Sequence, residues 1–511
     1  MKWIRCWFLA FLFGLPSPGW AESRPNILFI YTDDQSHRTL GCYRDDGAYP
    51  WVKTPHIDAL ASRGVRFTHA YIGTWCMPSR ATMLTGHHPY GIKSMRGEFL
   101  YPRSTYDPEE CPFWPKVFRS SGYFTAQIGK WHTGTDSGFG RDWDYQVVWN
   151  RPRYIANAGA YYKAQQLEFD GGRAKKVSAY PADYYTDLAV EFIRGDTRSR
   201  SKPWFLWLCY GSTHGPFTPA KRHLDAYPGV TVPIPADIYA PRSGKPAYVR
   251  ELNTWLPGKT GQPEMKNYHS PTVRGKPIHG PTLSGWVRQY QQCVSALDEA
   301  VGRITTELQN TGQLDNTLVV FTSDQGFAWG QHGFCHKLAP YDANLRAPLI
   351  FSQPGSLPQG RVCRTPVGGV DLIPTFFAKA GIPLPWAMHG HDLSPLLANP
   401  SSQSWKHPVL LAMTGRRFGS ETAVIPNDRK LRIKGVPWWV SLTQGSHKYI
   451  RTLETGEIEE LYNLSDDPEE LENLALKPEF AARVQTMRAA TLAELRRTGA
   501  PFVDQLPPVA K

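Results

Sequence analysis

The 511-residue chain has no apolar run near the roughly 20 residues that a membrane-spanning helix needs. Its basic residues never form a run of five or more, which argues against a dedicated nucleic-acid-binding arm. We therefore expect no membrane anchor and no nucleic acid partner.

Cysteine is also scarce, with eight residues in the chain. Cys6 lies before the first apolar run, where it is badly placed for a lipid anchor. The remaining seven form an odd set, so at least one is unpaired or has another use, even if the chain forms disulfides.

The composition is that of a folded protein, with 41% hydrophobic and 20% charged residues. The length allows two to four domains at about 100–200 residues each. The net charge is +12, and removing Lys2 and Arg5 leaves +10. This charge indicates either an ordinary solvated surface or attraction to polyanions.

The first residues resemble a secretory signal. Lys2 and Arg5 precede an apolar run at 7–15, and Gly19 and Ala21 supply the small residues read at a cleavage site. We predict a signal peptide over 1–21 and a mature protein over 22–511, exported to the periplasm or secreted.

Short apolar segments alternate with helical patterns over most of the chain. Strands that are apolar on both faces and alternate with helices indicate a mostly parallel sheet covered by helices, an α/β fold. Predicted strands cover 26–31, 123–128, 204–209, 318–321 and 348–351, and predicted helices 54–64, 113–121, 183–194 and 286–309.

The pattern of predicted elements changes near residue 405. Segments 447–452 and 458–462 resemble a hairpin, and 479–497 resembles a closing amphipathic helix. We predict a catalytic domain over 22–404 and a small α+β subdomain over 405–511. Residues 228–282 are rich in proline and polar residues and indicate a loop insertion.

Polar side chains follow four predicted strands directly. Because ligands bind beyond the carboxyl ends of strands in open α/β sheets, these side chains should converge on one site. A single such pair is more often a turn, but four clusters together favour a site. They are Asp33 with Asp34, Lys130 with His132, His214, and Asp324 with Gln325.

The residue types of this set favour a metal and a tetrahedral anion. Three carboxylates and an amide oxygen suit Ca²⁺, or Mg²⁺ in a tighter site. Adjacent carboxylates would repel each other without a cation. The cationic or potentially cationic members suit a sulfate or phosphate group beside the metal, and they are Arg80, Lys130, His132, His214 and Lys337.

One cysteine lies in a distinctive string that runs from Cys76 to Gly86. Pro78 is placed to begin a short helix and Gly86 to end it, so Cys76 sits at a helix N-terminus, which favours negative charge. A buried structural cysteine is the alternative interpretation.

The string, with Pro78-Ser79-Arg80 and Leu84-Thr85-Gly86 after Cys76, resembles the signature of the sulfatase family in the alkaline phosphatase superfamily. The resemblance continues in the same order over nearly the whole mature chain. It includes Asp33-Asp34, Gly129-Lys130-Trp131-His132, Thr213-His214-Gly215-Pro216, Ser323-Asp324-Gln325-Gly326, His332-Gly333, Lys337, and Leu461-Tyr462-Asn463-Leu464 with Asp467-Pro468-Glu469.

The resemblance implies a role for each site residue. A maturation enzyme would oxidise Cys76 to formylglycine, and Arg80 would fix its hydroxyl. Lys130 and Lys337 would hold sulfate oxygens, His214 would act on the leaving oxygen, and His132 on the formylglycine. Calcium would bind the modified Cys76 together with Asp33, Asp34, Asp324 and Gln325.

One residue departs from the family pattern. Many members have asparagine where this chain has Gln325, whose amide offers the same acceptor chemistry with one extra methylene. Direct metal ligation by Gln325 is the expectation, and a water-mediated contact is the alternative.

The implied activity is hydrolysis of a sulfate ester, and the basic charge together with export favours a sulfated glycan. Two alternatives remain open: a phosphate or phosphonate ester hydrolase of the same superfamily, and a non-catalytic polyanion-binding protein. Around the pocket, Trp143 and Trp149 would either stack on sugar or pack in the core.

Overall fold

The computed structural model describes residues 24–93, 107–267, 272–273, 276–277 and 280–510. The predicted signal peptide lies outside these residues. The strands are β1 Asn26–Thr32, β2 Gly64–Tyr71, β3 Phe124–Trp131, β4 Tyr145–Asn150, β5 Gln165–Phe169, β6 Lys175–Val177, β7 Trp204–Cys209, β8 Trp255–Pro257, β9 Pro263–Met265, β10 Thr272–Val273, β11 Lys276–Pro277, β12 Thr317–Ser323, β13 Arg346–Ser352, β14 Arg361–Cys363, β15 Val367–Gly368, β16 Val409–Met413, β17 Trp439–Gln444, β18 His447–Thr452 and β19 Glu459–Asn463.

The helices cover both faces of the main sheet. They are α1 Pro55–Ser62, α2 Cys76–Thr85, α3 Trp114–Ser120, α4 Pro181–Arg194, α5 Ala247–Arg250, α6 Leu283–Asn310, α7 Asp342–Leu345, α8 Leu372–Ala380, α9 Ser394–Ala398 and α10 Ala481–Arg497. One large apolar cluster joins the sheet to α1, α4 and α6, and another joins it to α2, α3 and α8.

The main sheet has a parallel centre and antiparallel margins. Its strand order is β14-β2-β13-β12-β1-β7-β3-β4-β5-β6, and β15 also pairs with β2. The five strands from β12 to β4 are parallel, whereas β13 and β5 run antiparallel to their inner neighbours. Strands β1, β7 and β12 are buried along their whole length, as their uninterrupted apolar character predicts.

The predicted fold class is confirmed, and the predicted strands and helices are present with small shifts of their ends. The sequence analysis did not identify β2, β4 or β5. The helix expected to begin at Pro78 begins at Cys76 and ends before Gly86, which has left-handed backbone. Segment 228–282 contains α5 and the β8–β9 hairpin among its described residues.

The predicted C-terminal segment contains a second sheet. Strands β16 to β19 pair antiparallel in sequence order, and α10 packs against this sheet. The division into domains at residue 405 stays a prediction.

A buried ion network connects this second sheet to the main body. The Lys448 ammonium of β18 lies 2.8 Å from Asp342 and 2.9 Å from Glu470, and the Tyr71 hydroxyl donates to Asp342 over 2.9 Å. Because breaking a buried pair leaves an uncompensated charge, this network holds the segment after Lys337 against the second sheet.

The cysteines of the described residues form no disulfide. Five of these seven are buried. Among the same residues, no helix combines the length and apolar character required to cross a membrane.

Gly129 allows two central strands to approach at the point where β3 leads into the site. Its φ is +104°, and a Cβ there would lie 2.0 Å from the Cys209 carbonyl oxygen of β7. We expect Gly129→Ala to lower the free energy of unfolding by about 2–4 kcal/mol, because it adds a backbone clash to left-handed strain.

Urea unfolding of the purified wild-type protein and of Gly129→Ala measures this loss of stability. Gly140→Ala is the matched control, since Gly140 has φ of +78° and nothing within 4 Å of the added Cβ. It should cost about 1–2 kcal/mol from strain alone. Equal losses in the two variants would contradict the close-approach argument.

Candidate active site

Three carboxylates lie close together where two adjacent parallel strands end. β1 and β12 pair up to Thr32 and Ser323, so Asp33 and Asp34 follow one strand beside Asp324 on the other. Asp324 accepts a hydrogen bond of 2.9 Å from the Asp34 backbone N–H. One oxygen from each of the three carboxyl groups lies within 4.8 Å of the others.

The turn after β1 carries Asp33 and Asp34 and has an unusual backbone conformation at Asp34. Asp34 has left-handed backbone with φ of +57°, a conformation that aspartate tolerates better than most residues. The Tyr290 hydroxyl of α6 donates to the Asp34 carbonyl, and the Thr213 hydroxyl donates to Tyr290 over 2.8 Å. These contacts fix the turn from the helix side.

Three cationic side chains surround the carboxylates. Lys130, near the end of β3, forms a short ion pair with Asp33, and the Lys337 ammonium lies 2.6 Å from Asp34. The Arg80 guanidinium lies 3.4 Å from Asp33 and 3.5 Å from Asp324. All six side chains are at most 8% exposed, so their charges act on one another with little screening by water.

The pKa values of the carboxyl groups reflect this crowding. Burial alone would raise the pKa of Asp33, but the Lys130 ammonium and its neighbouring cations hold it well below its usual range. Burial and the Asp33 carboxylate raise the pKa of Asp324. One member of the carboxylate group is therefore harder to ionise than the others.

Cys76 is the first residue of α2 and lies within this charge cluster. Its thiol donates to Asp33 over 3.3 Å and accepts from the Lys337 ammonium over 2.7 Å. Arg80 follows one helical turn later, which places it on the same face as Cys76. Burial and then Asp33 raise the pKa of the Cys76 thiol well above its usual range, so the thiol is neutral at ordinary pH.

His214 lies at the edge of the cluster, where it is 27% exposed. Its Nδ1 donates to the Gly215 carbonyl over 2.8 Å, which leaves Nε2 at 3.7 Å from an Asp34 oxygen. Burial and the Lys337 charge lower the pKa of His214 to about 3. Its imidazole is therefore neutral in the described arrangement.

Tyr161 is a site residue that the sequence analysis missed. Its ring stacks on His214 with centroids 4.0 Å apart, and its hydroxyl accepts from the Lys130 ammonium over 3.3 Å. It thus links His214 with Lys130. It lies in a loop after β4 with no recognisable motif, so only the folded structure identifies it.

His132 is buried beside the cluster and contacts Arg151. The Arg151 guanidinium lies 2.6 and 3.0 Å from the two ring nitrogens of His132, and it also lies over the Tyr161 ring. Arg151 is a second residue that the sequence analysis missed. The role expected for His132, acting on residue 76, stays a prediction.

The residues fit a hard divalent cation. The donor set is all oxygen apart from Cys76, as Ca²⁺ and Mg²⁺ prefer. The Gln325 amide nitrogen donates to Asp34, and its amide oxygen is buried with no hydrogen-bond partner among the described residues. A buried acceptor without a partner is costly, and a cation would satisfy it.

A cavity of about 230 Å³ opens beside the cluster. Its lining includes Asp34, His214 and Lys337, together with three aromatic side chains, Phe217, Trp286 and Phe327. The two tryptophans proposed for sugar stacking, Trp143 and Trp149, are instead fully buried in the core. The sequence signal for Trp286 was only its place in the first turns of a long amphipathic helix.

The chain is similar in sequence to known sulfatases. The family model described as Sulfatase matches residues 25–382. An N-acetylglucosamine-6-O-sulfatase of Bacteroides thetaiotaomicron is 29% identical, over 74% of this chain and 71% of its own. An ulvan-active sulfatase of Formosa agariphila is 26% identical, over 94% and 83%.

Solved structures share the fold. One is described as a complex with its substrate D-glucosamine-2-N,6-O-disulfate, and it superposes with a TM-score of 0.77 at 23% identity, covering 94% of this chain and 100% of its own. A phosphonate monoester hydrolase of Agrobacterium radiobacter gives 0.66 at 22% identity, covering 93% and 96%.

Asp324→Asn should abolish tight divalent cation binding while the protein stays folded, because it removes one of three carboxylate charges without changing the side-chain shape. Elemental analysis after dialysis against calcium measures the bound metal. Asp136→Asn, at an exposed ion pair with Arg141, is the control and should keep its metal. Retention of metal by Asp324→Asn would refute the three-carboxylate site.

Proposed function

The chain belongs to the sulfatase family, whose members are sulfuric ester hydrolases, and from that premise we propose a more specific function. The protein is an exported sulfatase that hydrolyses a sulfate ester on a sulfated glycan. It uses calcium, and formylglycine derived from Cys76. The observation that carries the proposal is the contact of Cys76 with both Asp33 and Lys337 inside the buried charge cluster.

The neutral thiol argues that Cys76 acts only after modification. Thiolate, not thiol, is the nucleophilic form of cysteine, and burial disfavours it here. When formylglycine and calcium are in place, they supply a nucleophilic oxygen at neutral pH and neutralise charge on the transferring sulfate. Asp33, Asp34, Asp324 and Gln325 would hold the ion together with residue 76.

Lys130 and Lys337 are placed to stabilise the transferring group. Asp33 and Asp34, which pair with the two ammonium groups in this structure, would hold a divalent cation with the same oxygens when one is bound. The lysines are then available to donate to sulfate oxygens, where they offset the charge that develops during transfer. Arg80 holds the carboxylates of both strands and orients the hydroxyl of residue 76.

His214 and His132 divide the proton transfers. His214 presents Nε2 at the cavity, and a bound anionic sulfate ester would favour its protonated form, which would donate the Nε2 proton to the leaving alcohol oxygen. Its stacking on Tyr161 and its Nδ1–H bond to Gly215 fix the ring plane and the tautomer. His132 would accept a proton from residue 76 when sulfate is released, on a ring nitrogen that gives up its present contact with Arg151.

A sugar is the substrate that suits the cavity. Its aromatic lining residues can pack against the C–H face of a pyranose ring, while the cations of the same lining take the sulfate. The relatives named above act on sulfated carbohydrates by name, which supports the same class here. The net charge, +12 for the full chain and +10 without Lys2 and Arg5, favours encounter with a polyanionic glycan.

Phosphonate or phosphate ester hydrolysis is the second candidate. The fold of the phosphonate monoester hydrolase covers 93% of this chain, and a metal with two lysines also suits a phosphoryl group. Relative turnover of matched sulfate and phosphonate monoesters separates the two. A purely binding protein is disfavoured because Cys76, Arg80 and Lys337 are all present and in contact with the cluster.

Residue 76 should be formylglycine after co-expression with a maturation enzyme, with activity in proportion to the modified fraction. Peptide mass spectrometry would show a loss of about 18 Da relative to cysteine, since CH₂SH becomes CHO. Protein expressed without the maturation enzyme is the control and should be inactive. Full turnover by protein that retains the thiol would overturn the proposed nucleophile.

The leaving-group role of His214 predicts a dependence on the substrate. His214→Ala should lower kcat/KM on a sugar sulfate by about 100-fold or more, but much less on an activated aryl sulfate, whose phenol needs little protonation. His132→Ala should impair both substrates. Equal losses on both substrates for His214→Ala would count against its assignment.

A further inference from the structure

The tip of a tight turn in the C-terminal part of the chain reaches the cavity. Ile433 and Val436 pair across this turn through backbone hydrogen bonds of 3.1 and 3.0 Å. Between them, Lys434 and Gly435 both have left-handed backbone, with φ of 50° and 82°, as in a type I′ turn. Ile433 and Val436 are buried in the same apolar cluster as Leu338, so the exposed tip has an anchored base.

Lys434 lines the cavity that also contains His214 and Lys337. The electrostatic effect on a neighbouring residue agrees with this position, because burial and then the Lys434 charge lower the pKa of His336 to about 3. Lys434 is exposed and thus adds a partly solvated cation to the lining of the cavity, contributed by a segment distant in sequence from the catalytic motifs.

Lys434 differs from its neighbours in having no carboxylate partner. Arg432, two residues earlier, donates to Glu454 over 2.8 Å, and Lys337 is paired with Asp34. Within the described part of the chain, no carboxylate forms an ion pair with Lys434. Asn, Asp or Gly would suit the first position of a type I′ turn better than lysine. A role for the ammonium itself would account for the residue.

We infer that Lys434 binds a second sulfate group of the sugar, separate from the sulfate that is hydrolysed. The inference rests on the proposed function and names the preferred substrate as a sugar carrying at least two sulfates. The buried Lys130 and Lys337 serve the reacting sulfate, whereas the exposed Lys434 can reach a substituent elsewhere on the ring. A charge-assisted contact at this partly solvated position favours binding by about five- to tenfold.

Binding of two sugars that differ in charge tests the assignment without requiring turnover. The parent protein is Cys76→Ala, which cannot form the nucleophile, studied in calcium-containing buffer. Calorimetric titration compares D-glucosamine-2-N,6-O-disulfate with N-acetyl-D-glucosamine-6-O-sulfate. The parent should bind the disulfated sugar about five- to tenfold more tightly, and high salt should reduce that preference.

Lys434→Ala in this background should remove the preference for the disulfated sugar, and Lys434→Arg should keep most of it because the charge remains. Lys430→Ala is the matched control, since Lys430 is an exposed lysine of the same segment that does not line the cavity. Its preference should equal that of the parent.

Equal affinities of the parent for the two sugars, including no binding of either, would overturn the inference. An unchanged preference in Lys434→Ala would overturn it as well. Both results are distinguishable from failure of the proposed function, which would appear as the absence of sulfate release by the formylglycine-containing enzyme on any sulfate ester.

Discussion

The balance of three buried carboxylates against three buried cations is the constraint on which the site depends. Taking charges out of water costs several kcal/mol per ion unless partners compensate them. Asp33, Asp34 and Asp324 are compensated by Arg80, Lys130 and Lys337. The same arrangement suits catalysis, because a divalent cation and an anionic ester can enter the cluster and take over these pairings.

The fold supplies this cluster through the direction of its strands. Five parallel strands present their carboxyl ends at one edge, and three neighbouring ones, β12, β1 and β7, lead into Asp324, Asp33 and His214. Helix α2 approaches the same edge with Cys76 at its first residue. The ion network around Lys448 then fixes the segment that carries Lys337, so the second sheet also supports the site.

Much of this arrangement was predictable, because runs of apolar residues identify buried strands and the polar residues after them mark one sheet edge. The residues that escaped prediction are placed by tertiary contacts. Tyr161, Arg151 and Lys434 lie in loops and a turn, where no periodicity or spacing indicates which side chains face the site. Gln325 is a similar case. Its place in the motif was evident from the sequence, but its hydrogen bond to Asp34 depends on the folded arrangement of two strands.

The most direct test of the account is the position at which the ester bond breaks. In the proposed function the cations of the cluster would surround the sulfate, so attack should occur at sulfur and the sugar should keep its own oxygen. Hydrolysis of a sugar sulfate in ¹⁸O-labelled water, followed by mass spectrometry of both products, should place the label in the released sulfate. Label in the sugar hydroxyl group would show cleavage at carbon and would contradict the account.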